Sequence, residues 1–81
     1  MTREDIKSKL NQIFKDVFDD ETLEISEDMC ADDIEDWDSL AQIDLVVASE
    51  GVFNTRFSLE EITKLRNIGD MLDLVEGKIN S

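Results

Sequence analysis

"DWDSLAQIDLVV", residues 36–47, decides how the chain is read. It joins the end of an acidic run to the start of an apolar helical pattern. Leu40, Ile43, Val46 and Val47 recur at helical spacing and form the apolar stripe of a second helix, widened by Leu45 and Ala48. That helix has two competing starts. With Ser39 at the N-cap, Gln42 falls at N3, the spacing of a capping box. Asp38 caps equally well, and Ser39 is then the first helical residue, its hydroxyl turned to solvent. In that second geometry a phosphate ester on Ser39 meets free backbone N–H groups and the positive end of the helix dipole. Local sequence favours neither start.

Outward from this stretch, the chain reads as helices. Ile6, Leu10, Ile13, Phe14, Val17 and Phe18 lie on one helical stripe. Thr2 can cap that first helix, with Glu4 and Asp5 in its favourable first turn. Residues 19–38 form a long connection carrying Leu23, Ile25, Met29, Ile34 and Trp37, which should pin it to a core. Loops of this length are uncommon in compact domains and often functional, although a solvated tether accounts equally well for the charges. Beyond the second helix, Gly51 is expected to weaken or end it, and Val52 and Phe53 to add core material. Ser58 and Glu61 have capping-box spacing and open a short helix with Leu59, Ile62 and Leu65. Asn67 can cap a last helix with Ile68, Met71, Leu72, Val75 and Ile79 on one face, and Gly77 near its frayed end. The expectation is an all-α fold: a four-helix bundle with a long first loop and a short third helix, one domain over residues 1–81.

Composition agrees and narrows the function. The 81 residues include no proline, no tyrosine and three glycines, which favours helices, and a chain of this size has a marginal core. With no histidine and a single cysteine, an internal disulfide, the common zinc sites and histidine-based catalytic triads are all excluded. Carboxylate or lysine chemistry would remain, but a chain this short has little room for a deep pocket, so no enzyme is expected. The acidic loop is no EF-hand either. Counted from Asp28, Asp32, Asp33 or Asp36, the third and fifth ligand positions fail or the glycine is missing, and no metal site is expected. Cys30 has no basic neighbour and reads as a small, partly buried residue. Trp37 reads as an anchor for the end of the loop, or alternatively as a partner contact.

The formal net charge of −13 comes from 21 acidic and 8 basic residues, with eleven acids and no base between Asp19 and Asp38. This argues against nucleic acid and anionic membranes as partners, and for surfaces presenting Lys or Arg. No apolar run approaches the roughly 20 residues of a membrane span. Met1 to Asp5 open directly into a polar helix, so no secretion signal is expected and a cytoplasmic location is.

Asp38-Ser39-Leu40 at the head of a second helix now takes on more meaning. Downstream, residues 45–75 read "LVVASEGVFNTRFSLEEITKLRNIGDMLDLV", with Phe53, then "FSLEEI", then "NIGDM" opening the last helix. Over nearly its whole length the chain resembles the acyl carrier proteins. Asp-Ser-Leu alone is a weak signal; in this length, charge and context it is a strong one. The resemblance implies that a phosphopantetheinyl transferase uses coenzyme A to attach 4′-phosphopantetheine to Ser39, between Asp38 and Leu40. The thiol of that arm would hold an acyl group as a thioester. The domain would catalyse nothing and would present its cargo to acyl-loading and acyl-transferring enzymes. Leu40, Ile43, Val47, Phe57, Ile62 and Leu65 are the candidates for lining the arm's surroundings, and plain core packing explains each as well. Asp38, Asp44 and Glu50 match acidic positions on which basic patches of partner enzymes dock. A monomer is the expected state.

Departures from the family pattern bear on the pathway. Where many fatty-acid carriers have a glycine shortly before the serine, this chain has Asp36, three residues ahead of Ser39 and followed by Trp37 and Asp38. Gly51 stands where the family often has another acid, and Ala41, Gln42 and Ser49 are neutral. These differences point away from housekeeping fatty-acid synthesis and towards a dedicated carrier for a polyketide, an acylated metabolite or a cell-surface saccharide. An aminoacyl or D-alanyl carrier stays open. The rival reading is an unmodified acidic helical interaction module in which Ser39 is only a cap.

Overall fold

Thr2 opens the first helix as its sequence suggests. Its hydroxyl accepts from the Asp5 N–H at 3.2 Å, and the Asp5 carboxylate accepts from the Thr2 N–H at 3.3 Å. Helix α1, Arg3–Phe18, buries Ile6, Leu10, Ile13 and Phe14 and ends at Asp19, which adopts the left-handed conformation (φ 51°). The computed structural model describes residues 2–34 and 37–80. After α1 come a loop holding one 3-10 turn (Ala31–Asp33), then α2 (Ser39–Phe53), α3 (Leu59–Thr63) and α4 (Ile68–Ile79). The architecture is the expected all-α arrangement of four helices with a long first loop and a short third helix. Helix α1 packs on both α2 and α4. Asp36, one of the departures from the family pattern, lies outside the described residues.

The long loop is fastened rather than tethered. Ile25 and Ile34 are buried in the core, and Leu23, Met29 and Trp37 pack against it. The Ile25 N–H donates to Asn11 Oδ1 at 2.8 Å, tying the loop to α1. The first amides of α4, which a helix leaves without internal acceptors, find theirs in the loop. Ile68 N–H donates to the Met29 carbonyl at 2.9 Å and Gly69 N–H to the Glu27 carbonyl at 2.8 Å. This close approach favours glycine, because a Cβ on residue 69 would lie 3.0 Å from the Glu27 carbonyl oxygen, closer than an ordinary van der Waals contact. Arg3 completes the fastening. Its guanidinium bridges Glu27 on the loop and Asp73 and Glu76 on α4, at 2.5, 2.7 and 2.9 Å. Hydrogen bonds to Glu27, Glu76 and Asp73 hold its proton more firmly than in free arginine.

Helix α2 corrects the stripe drawn from its sequence. Its buried face is Ala41, Leu45, Val46, Ser49 and Phe53. Leu40, Ile43 and Val47 are 67%, 58% and 60% exposed. At 100° per residue these three lie nearly opposite the buried set, so the apolar positions fall on two faces and periodicity alone cannot choose between them. The small residues Ala41 and Ser49 sit on the inner face. The Ser49 hydroxyl, fully buried, donates to the Leu45 carbonyl at 2.7 Å and is thereby satisfied. Gly51 does not end the helix either. α2 runs on to Phe53 and stops at Asn54, which takes the left-handed conformation (φ 51°) that asparagine tolerates well. Phe53 is buried as expected, whereas Val52 is about half exposed.

Helix α3 has five residues and buries none of them. It is held from its ends instead. Ser58 and Glu61 form the expected capping box, and the Glu61 carboxylate also pairs with Lys78 of α4 at 2.8 Å. Lys78 and the cap hold the Glu61 carboxyl below the usual glutamate range. In α4, the Asn67 side chain caps Asp70 N–H at 2.8 Å, and Ile68, Met71, Leu72 and Val75 are buried.

Candidate functional site

The structure resolves the two possible starts of α2. Asp38 is the N-cap: its Oδ1 accepts from the Ala41 N–H at 2.8 Å, and its backbone carbonyl accepts from the Gln42 N–H at 2.9 Å. Ser39 is the first helical residue and is exposed. Gln42 is not available to complete a capping box with Ser39, because its Oε1 accepts from the Trp37 indole N–H at 2.7 Å. The Ser39 hydroxyl therefore stands outside the cap, at the positive end of α2, where an anionic ester is electrostatically favoured.

Beside Ser39 lies an open groove of about 610 Å³ between the head of α2 and α3. Asp38 and Ser39 border it, and Trp37, Ile43, Ile62 and Leu65 contribute apolar lining. Three of the six candidate lining residues, Ile43, Ile62 and Leu65, are thus brought together at Ser39. The other three are placed elsewhere. Leu40 and Val47 point away from the core into solvent and do not line the groove. Phe57 packs half-buried against the core. The groove also contains Leu59, Gln42, Thr63 and Trp37, which sequence reading did not assign to it. Leu59 was legible in part: as the first residue of a capped five-residue helix it had little chance of reaching a core. Trp37 was expected at the core, and it does pack edge-on to Phe14, ring centres 5.3 Å apart, while its other side faces the groove.

The three acidic candidates occupy different situations. Asp38 is exposed but committed to the cap. Asp44 is exposed, and on the helical wheel it flanks the outward row of Leu40, Ile43 and Val47 on one side. Glu50 flanks the row on the other side, half-buried, its carboxylate accepting from the Phe57 N–H at 2.8 Å. Apolar side chains framed by carboxylates make a surface suited to a partner that presents both hydrophobic and basic groups. Cys30 is half-buried with its sulfur 3.6 Å from Asp33 Oδ2. Among the described residues, no group of three or more potential ligands is placed to hold a metal ion, and no helix is long and apolar enough to cross a membrane.

Comparison with known proteins gives this geometry its context. No protein-family model matches the chain. The acyl carrier protein of Coprothermobacter proteolyticus is 35% identical over 98% of this chain and 96% of its own length. That of Petrotoga mobilis is 29% identical over 99% of this chain and 94% of its own. Among solved structures, the solution structure of the holo acyl carrier protein from Geobacter metallireducens superposes with a TM-score of 0.87. It is 39% identical, and the match covers 93% of this chain and 86% of that one.

Proposed function

Because the chain belongs to the acyl carrier protein family, we propose that Ser39 is the residue to which a phosphopantetheinyl transferase attaches 4′-phosphopantetheine from coenzyme A. The observation that carries this reading is the division of labour at the head of α2. Asp38 caps the helix, so the Ser39 hydroxyl is exposed and uncommitted beside an apolar groove. In the attachment step the bond from Ser39 Oγ to phosphorus forms as the pyrophosphate bond of coenzyme A breaks. Adenosine 3′,5′-bisphosphate leaves, and the hydroxyl proton passes to the transferase. The helix dipole then stabilises the remaining phosphodiester charge. When bound, the group supplies a thiol that holds acyl cargo as a thioester. The chain's own part is to position the arm, and it performs no catalysis.

The outward face of α2 is the docking surface for acyl-loading and acyl-transferring enzymes. Leu40, Ile43 and Val47 supply contact area, Asp44 and Glu50 supply charge, and the overall charge of −13 draws in partners with basic patches. Leu40 and Val47, grouped by sequence with the arm's surroundings, belong to this face. The protein acts as a cytoplasmic monomer, and the tryptophan beside the groove supports a dedicated carrier over a general fatty-acid one. Intact-protein mass spectrometry tests the attachment, with coenzyme A and a broad-specificity transferase acting on the wild type and on Ser39→Ala. A gain of one phosphopantetheine on the wild type alone is expected. No gain on folded wild type, or equal gain on the variant, overturns the reading in favour of an unmodified interaction module.

A further inference from the structure

We propose that Gly51 and Arg56 set partner specificity: they end the negative charge of the docking face partway along α2, so the partner that fits is basic only where it meets the head of the helix and is neutral or acidic beyond it. The inference rests on the reading of the outward face of α2 as a docking surface, and it names the chemistry of what docks there.

The outward row does not stop at Val47. Four residues further on, Gly51 falls within about 20° of the direction of Leu40 on the helical wheel. It is exposed, and nothing lies within 4 Å of the place a Cβ would take. Its φ is not positive either. Glycine inside a helix costs stability relative to alanine, and no internal contact or backbone conformation here requires it. Its missing side chain acts outward instead. Helix backbone is left bare where a carboxylate would carry the charge of Asp44 two turns further, about 10 Å along the axis.

The flank beside Gly51 carries the same break. Glu50 Oε2 accepts from the Phe57 N–H at 2.8 Å, and the Glu50 carbonyl accepts from the Thr55 N–H at 3.2 Å. These bonds wrap the loop around Glu50 and seat Arg56 between the two anchored residues. Arg56 is exposed and takes part in no ion pair among the described residues. The loop thus places a cationic residue beside the last carboxylate of the face. Near the head, Asp38 caps the helix and Asp44 is exposed. The face is therefore acidic at its head and cationic at its far end. A basic patch running the whole length of α2 would bring like charge to Arg56 and find no acid at Gly51, and like charges facing each other select against a partner. A partner with its basic groups opposite Asp44, and a carboxylate or amide opposite Arg56, meets its complement throughout.

The test first attaches the arm and verifies it by intact mass. The probe is a malonyl-loading transferase of fatty-acid synthesis whose carrier-binding patch is rich in lysine and arginine along its length. KM and kcat for loading are measured on the wild type, Gly51→Glu, Arg56→Glu and the double variant. Each single variant should lower KM at least about threefold, and the double at least about tenfold, with kcat little changed, because the gain lies in encounter and docking rather than in chemistry. Raising the ionic strength should erase the gain. Two comparisons separate position from other causes. Lys9→Glu makes the same charge reversal at an exposed position of α1, and Gly51→Gln adds bulk and helix propensity without charge. An equal fall in KM in either comparison, or no fall in the double variant, overturns the inference and leaves the carrier reading standing. No mass gain at the attachment step overturns both.

Discussion

Replacing Asp38 by alanine should expose how the head of α2 is built. Asp38 Oδ1 accepts from the Ala41 N–H at 2.8 Å, and a cap of this kind contributes about 1 kcal/mol. A carboxylate at a helix N-terminus adds about 0.3–1 kcal/mol through the dipole. Loss of both comes to roughly 1–2 kcal/mol, a sizeable part of the roughly 4–12 kcal/mol typical of 81 residues. One feature of the sequence softens the blow. Ser39 can take over as N-cap, so Asp38→Ala alone should lose only about 1 kcal/mol, or about 4–8 °C in melting temperature. Ser39→Ala alone should stay within about 0.5 kcal/mol of wild type, because its hydroxyl caps nothing. The double substitution removes the fallback and should cost more than the sum, with a coupling of about 0.5–1 kcal/mol. Asp38→Asn keeps the cap and should lose only the dipole contribution. Urea denaturation followed by circular dichroism reads all four. If Ser39→Ala costs about 1 kcal/mol and Asp38→Ala nothing, the cap belongs to serine and the free hydroxyl on which the attachment reading rests does not exist.

The glycines give a second, paired prediction. Gly51 has open space around its missing Cβ, so Gly51→Ala should stabilise by about 0.5–1 kcal/mol, whereas Gly69→Ala should destabilise despite the same helical gain, because its Cβ meets the Glu27 carbonyl; a stabilised Gly69→Ala in the same denaturation series would contradict the loop contact. Glu61 predicts a pH dependence. Its carboxyl is held below the usual range by Lys78 and Ser58, so its contribution is complete above the ordinary glutamate pKa and is lost as pH falls through the lower folded value. NMR titration should show Glu61 titrating low in the wild type and moving back up in Lys78→Met; no movement would remove the α3–α4 strut. Salt supplies the last. The eleven acids from Asp19 to Asp38 repel one another, and shortening the Debye length from about 30 Å to about 8 Å should raise the melting temperature by several degrees, while a flat response would mean that the repulsion is already neutralised.

The readable parts of this chain are those where one physical signal acts alone. Helix α1 carries its apolar residues on a single stripe, and Thr2, Ser58 and Asn67 are the caps that their spacing implied. Helix α2 is different because it is apolar on two faces. Its inner face is built from Ala41, Leu45 and Ser49, residues that periodicity ranks below Leu40, Ile43 and Val47. The choice is made by close packing of α1 against α2, which no local pattern records. The cap was undecidable for a related reason: the Trp37 indole draws Gln42 away from Ser39, and that contact belongs to the folded loop. The Gly69 approach to Glu27 joins positions far apart in sequence and leaves no local trace. Asp38-Ser39-Leu40 stands out in the sequence only through family resemblance, whereas the groove beside it draws its lining from both α2 and α3 and leaves no local trace.

The central claim is that one hydroxyl carries the arm, and peptide mapping tests it most directly. After transferase treatment, trypsin cutting at Lys15 and Arg56 releases residues 16–56 as one peptide containing Ser26, Ser39 and Ser49. Fragmentation of that peptide should place the whole phosphopantetheine mass on Ser39. Ser49 is sealed in the core and Ser26 donates its hydroxyl to Asp28 within the loop. Modification found on Ser26, on a serine outside this peptide, or nowhere on the folded chain would contradict the account.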